Sequence, residues 1–223
     1  MKKNYRSLIQ KLALIIWAVI IILAIFERDK ITADAIISYT PSNIWLAVLM
    51  LLGGFALKTL SVVFYSGLLF TVSGMLFDLP FAIAVNIAGA LVMLLEGYVI
   101  GHAGGHEFVT ELSAKYPKFA AFTGIKDDHP FAFALLIRML KVVNYDIGSM
   151  YMGASGVRLL PYLAGSLTAL MPELVLFALA GSGISNMNAV PAAAAAVIYI
   201  GMTLISAALL RVMMNNSQGM EQK

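Results

Sequence analysis

The sequence predicts an all-α polytopic membrane protein with about four full transmembrane helices and two opposed re-entrant helical hairpins in an inverted-repeat arrangement. Three observations carry that expectation. Of 223 residues, 61% are hydrophobic and only 12% are charged, against roughly 45–50% and about 25% in a soluble domain. A mean hydropathy of +0.88 gives the chain more apolar surface than one aqueous core hides, so most of it must face lipid. The apolar stretches are also unequal, some long enough to cross a bilayer and others short and loaded with glycine. The lack of cysteine removes disulfides, thiolate nucleophiles and cysteine-ligated metals. The formal charge of +3 lies at loop ends, which suits lipid headgroups and not nucleic acid.

Residues 1–43 read as a cytoplasmic tail, a first crossing and an outer loop. Lys2, Lys3, Arg6 and Lys11 precede the apolar run Leu12–Phe26, and the mixed cluster Glu27, Arg28, Asp29, Lys30 follows it. The small-residue pair Ala33 and Ala35 lies too far beyond that run for signal cleavage, so the helix stays, with the N-terminus inside. Ile44–Leu57 and Thr59–Phe77 flank Lys58 and carry Gly53, Gly54, Gly67 and Gly74. The first would be about 21 Å of helix, short of the roughly 30 Å hydrocarbon core, so 44–78 is expected to be a re-entrant hairpin. Two short crossings are the alternative. Residues 80–101 then cross to the cytoplasm, with Gly97, Gly101 and Gly105 at close-packing spacing.

A polar cytoplasmic loop, 102–130, is expected to contain a short amphipathic helix ending before Pro117. Residues 131–157 hold Arg138, Lys141, Asn144 and Asp146 within an apolar stretch. Each such charge costs about 2.5–3.5 kcal/mol at the centre of a lipid-facing helix, so a second re-entrant hairpin is predicted. Residues 159–183 cross outward, and 186–223 comprise a last crossing, 192–210, and a cytoplasmic tail. A weak internal repeat aligns the Glu96 helix with the Glu173 helix, and Gly74–Pro80 with Gly153–Pro161.

The run from Arg138 through Asn144, Gly148 and Gly153 to Pro161, Gly165 and Pro172 resembles the second-half motif of the DedA superfamily. That group is also called the SNARE-associated Golgi or VTT-domain proteins, and the likeness is greatest to its Golgi Tvp-like branch. The first half agrees through Ser73–Phe77 and through Tyr98, Gly101, Gly104 and Gly105. The resemblance covers roughly residues 40–185. It implies opposed hairpins and the movement of lipids across the bilayer: polyprenyl phosphates with help from the proton gradient in bacterial members, phospholipids in eukaryotic ones. Lys141 and Val142 stand where the family usually has prolines, and His102 where an arginine often follows. The acidic pair of the first DedA hairpin is missing, which counts against proton coupling of the DedA kind and leaves a proton-linked form open.

Arg138 and Lys141, three apart, would share a helical face and present a guanidinium fork and a point charge to one phosphate. Asn144 and Asp146 complete the expected substrate-binding set. The alternative is an internal ion pair with Asp146 that only closes the hairpin. Glu96 and Glu173 are candidate proton or ion carriers, or else structural acids paired with cations. Gly74, Gly148, Gly153, Pro161 and Pro172 are the expected hairpin-backbone positions. His102 and His106 have metal-compatible spacing but no third ligand, so they read as solvated, and neither a metal nor a cofactor is expected. No nucleophile elbow, phosphate loop or dinucleotide fingerprint occurs. The expectation is therefore a non-enzymatic plasma-membrane lipid transporter or scramblase with both termini cytoplasmic. Its partners would be anionic membrane lipids, with a homo-oligomer left open and no nucleic acid. A secondary transporter of a small ion or solute, and a non-transporting assembly scaffold, are the alternatives.

Overall fold

Asparagine caps and first-turn prolines decide where many of the helices start. The structure, a computed structural model, describes residues 43–60, 65–115, 126–141, 143–186 and 188–221, among which there are seven helices and no strands. Helix α1 (Ile44–Leu60) begins at Asn43, whose Oδ1 accepts from the amides of Trp45 (2.9 Å) and Leu46 (3.4 Å). The short α2 (Gly67–Leu76) follows, then α3 (Leu79–Lys115), with Pro80 in its first turn where a missing amide costs nothing. Pro130 opens α4 (Pro130–Met139), and Asn144 caps α5 (Tyr145–Ala154). Helix α6 (Leu159–Ser185) has Pro161 in its first turn, and α7 (Ala189–Glu221) starts after Asn188, which accepts from the Val190 amide at 3.1 Å.

The chain divides into two compact units, Met1–Gly89 with Phe177–Ala193 and Ala90–Leu176 with Ala194–Lys223. In the first, Phe55 and Phe70 are buried with ring centroids 5.2 Å apart, and Gly89 lies against the Phe55 ring. Helix α2 packs backbone to backbone on the end of α6: Gly74 meets the carbonyl of Ala178, and Gly181 meets the carbonyl of Thr71. Fully buried Asn86 accepts from Ser73 Oγ (2.6 Å) and donates to the Phe70 carbonyl (3.2 Å), so its amide is satisfied inside an apolar setting. In the second unit, Phe133, Ile137, Met152, Tyr162, Leu170 and Leu174 are buried. Helix α5 approaches α3 as closely as α2 approaches α6, with Gly153 on the carbonyl of Tyr98 and Gly101 on the carbonyl of Met150.

Two helices, Leu79–Gly105 and Leu159–Ser185, are long and apolar enough to cross a membrane. Large apolar side chains nevertheless lie outward, including Val99, Leu160, Val197 and Leu204. With the composition, these make the chain an all-α membrane protein.

The structure corrects several expectations. Lys58 does not separate two segments but lies in the last turn of α1, because the Thr59–Leu60 backbone continues the helix. The crossing helix extends past Gly101 to Gly104, and a second helical stretch, 106–115, follows the break at Gly105, where the short helix before Pro117 was expected. Gly105 is not a packing position like Gly97 and Gly101. It sits at φ 62, ψ −158, with nothing within 4 Å of where a Cβ would stand, and it bends α3. Pro161 and Pro172 belong to α6 and not to a hairpin; Pro172 stays inside the helix, where it has no amide to give the carbonyl of Thr168. The expected crossing 192–210 is part of α7, whose apolar stretch Val190–Ile205 ranks with the shorter helices. The expected crossing Leu12–Phe26 lies outside the described residues.

Candidate functional site

The site is built where α4 stops and α5 begins. After Met139 the chain caps at Leu140 (φ −81, ψ −2), and Lys141 takes a left-handed conformation at φ 47. That conformation costs a non-glycine residue about 1–2 kcal/mol, and it ends the helix one residue after Arg138. Asn144 then restarts it, its Oδ1 accepting from the amide of Asp146 at 3.4 Å. The reversal folds the last turn of α4 back on the first turns of α5.

Arg138 is only 6% exposed. Its Nη1 donates to the Tyr145 carbonyl (2.6 Å), its Nη2 to Ser149 Oγ (2.6 Å) and, at longer range, to the Tyr162 hydroxyl (3.4 Å). Its Nε faces Ser166 Oγ at 3.4 Å, and the guanidinium carbon sits 4.5 Å from the centre of the Tyr145 ring. Tyr162 in turn donates to the Leu94 carbonyl at 3.0 Å and stacks on Tyr98 with centroids 5.2 Å apart. Tyr98 donates to the Val157 carbonyl at 2.6 Å. All the hydrogen-bond acceptors of Arg138 are neutral oxygens. Among the described residues, no carboxylate is a hydrogen-bond partner of Arg138.

The structure separates Lys141 from Arg138. The left-handed turn takes Lys141 off the α4 face, and its Nζ donates to the Tyr199 hydroxyl (3.0 Å) and Thr203 Oγ1 (3.2 Å) on α7, 4.4 Å from the Tyr199 ring centre. The two cations therefore do not present a joint face to one phosphate. Asp146 is 3% exposed in the first turn of α5, where the positive end of the helix favours its charge. Glu173 is 8% exposed on α6 and acts electrostatically on Tyr145, as Arg138 does. Glu96 is half-buried on α3 and is not a partner of Arg138. Gly148 lies beside the guanidinium, with a Cβ position 3.6 Å from Nη1, an ordinary contact distance that a methyl group would fill.

Sequence reasoning missed the acceptors. Tyr145 and Ser149 are one turn apart on α5, as are Tyr162 and Ser166 on α6, and that repeated Tyr-x-x-x-Ser spacing was the available signal. A family model for the VTT domain matches residues 64–183. No curated protein and no solved structure matches the chain. The matched residues exceed half of the sequence and hold Arg138 with all its acceptors, and the chain belongs to the VTT-domain family, that of the DedA and SNARE-associated Golgi proteins.

Proposed function

We propose that the protein is a non-enzymatic transporter or scramblase that moves lipids with anionic headgroups, polyprenyl phosphates or phospholipids, between the leaflets of the plasma membrane. One observation carries this reading: a buried guanidinium whose hydrogen bonds all go to neutral groups. Burying a charge is costly, and an arriving phosphate supplies a charged acceptor whose oxygens fit the guanidinium fork better than neutral oxygens do. Serine and tyrosine hydroxyls can release the guanidinium to a stronger acceptor and then hydrogen-bond the phosphate themselves. Membership of a membrane family associated with transport supports the same reading.

The topology in this reading has four crossings, α3 and α6 with 12–26 and 192–210, and two re-entrant hairpins, α1–α2 and α4–α5. Helices of 17, 10, 10 and 10 residues reach about 26 Å and 15 Å, short of a roughly 30 Å hydrocarbon core. Both termini are cytoplasmic. The narrower likeness to the Golgi Tvp-like branch rests on the run from Arg138 to Pro172.

A proton-linked form of the reading is favoured by Glu173, a buried acid on α6. The test is purified full-length protein in vesicles bearing fluorescent phosphatidylglycerol or phosphatidylcholine, with and without a proton gradient. Faster exchange of the anionic lipid than in protein-free vesicles is expected, and equal rates overturn the proposal. Solute flux that follows the gradient and ignores lipid composition would replace it with the secondary-transporter alternative.

A further inference from the structure

Among the described residues, six of the nine buried polar residues fall into three pairs with one separation, while Ser73, Ser149 and Glu173 have no such counterpart. Lys58, Ser66 and Asn86 in the first unit and Arg138, Asp146 and Ser166 in the second are all buried, and each residue lies 80 positions from its counterpart. The backbone contacts keep the same register. Gly74 and Gly181 form the close α2–α6 approach, Gly153 and Gly101 the close α5–α3 approach, and in both pairs each glycine meets the carbonyl three residues before its partner glycine. The hairpin glycines are 79 residues apart and the long-helix glycines 80. The separation is thus a property of the folded units and not of loose similarity. It also revises the repeat read from the sequence: Glu96 and Glu173, 77 apart, are not counterparts, since 80 positions pair Glu173 with Met93.

Within this correspondence Lys58 holds the place of Arg138. Both cations lie in the last turn of the first hairpin helix, where the negative end of the helix favours them, and they are 3% and 6% exposed. Ser66 stands in the first unit where Asp146 stands in the second, so the carboxylate of one unit is replaced by a hydroxyl in the other. Lys58 also lies outside residues 64–183, so the family match assigns it no role.

We propose that Lys58 is a second anion-binding residue, serving a phosphate headgroup in the first unit as Arg138 does in the second. The inference rests on the lipid-transport reading for its ligand and on the 80-residue register for its position. Lysine meets the phosphate as a point charge with three donors where arginine offers a fork, so the two stations share a charge but differ in geometry. The protein then has two phosphate stations, one per unit.

The test counts bound phosphate independently of transport. Full-length protein in neutral detergent is titrated with dihexanoyl phosphatidic acid below its micelle concentration. Two molecules per chain are expected for the wild type and for Lys58→Arg, and one each for Lys58→Gln and Arg138→Gln. A single molecule on the wild type, or two retained on Lys58→Gln, overturns the proposal. Should Lys58→Gln fail to fold, the wild-type count and its fall from two to one in Arg138→Gln decide the matter. A parallel titration with glycerol 3-phosphate separates the sources: equal binding assigns the stations to free phosphate esters, weaker binding to lipids. A chain that binds two phosphates yet moves no lipid overturns the transport reading alone, and one that moves lipid yet binds a single phosphate overturns the second station alone.

Discussion

Arg138 combines a charge, a fork and a nearly dry setting, and each makes a different demand on a substitution. Arg138→Lys keeps the charge and loses the planar fork, so anionic-lipid exchange in vesicles should fall about tenfold, equivalent to about 1.4 kcal/mol. Arg138→Ala should fall further, while circular dichroism still reports a folded helical protein. Tyr162→Phe removes the hydrogen bond to the Leu94 carbonyl and should lower unfolding stability by about 1 kcal/mol, measured by denaturant titration in detergent. At this scale the sequence made Arg138 and Asp146 legible, because ionised groups inside an apolar run are rare and need a reason. The pairing of Arg138 with Lys141 was not legible. It assumed a helix through both positions, and a left-handed backbone at Lys141 cannot be read from a residue type that seldom adopts it. The acceptor hydroxyls were hidden for the opposite reason: serine and tyrosine are too common in membrane helices for two Tyr-x-x-x-Ser pairs to stand out without coordinates.

The helices themselves divide into those whose glycines are needed for contact and those whose glycines are not. Gly101→Ala and Gly153→Ala would each push a methyl group into a carbonyl of the facing helix, costing about 1–3 kcal/mol of stability. Gly53, inside α1 with nothing within 4 Å of its missing Cβ, predicts the reverse. Gly53→Ala should raise stability by about 0.5–1 kcal/mol through better helix propensity. Thermal melts of the three variants in one detergent compare them directly. The start at Pro80 was read from the sequence, whereas the caps at Asn43 and Asn144 and the first-turn Pro130 act through a few local atoms that the apolar pattern does not single out. Ends were obscure too. The residues just after Gly101 look like loop by polarity alone, and only the structure shows that the helix continues to Gly104 before the break at Gly105.

Across the whole molecule, composition was enough to assign the solvent, because outward-facing Leu160, Val197 and Leu204 leave water no favourable part in the surface. A nitroxide attached at Leu160→Cys in this cysteine-free chain should relax strongly with dissolved oxygen and weakly with a water-soluble nickel chelate. The opposite ranking would contradict a lipid-facing α6. The 80-residue register escaped the alignment of the two glutamates because its members are chemically unlike, Lys with Arg, Ser with Asp and Asn with Ser, and only burial shows them to be equivalent. The division of the chain also has a consequence for biogenesis. The first unit requires Phe177–Ala193, which leave the ribosome only after all of Ala90–Leu176 has emerged. The early segments must therefore wait in the membrane, incompletely packed, while the middle of the protein is translated. The order of the polypeptide thus makes completion of the first unit a late step of synthesis.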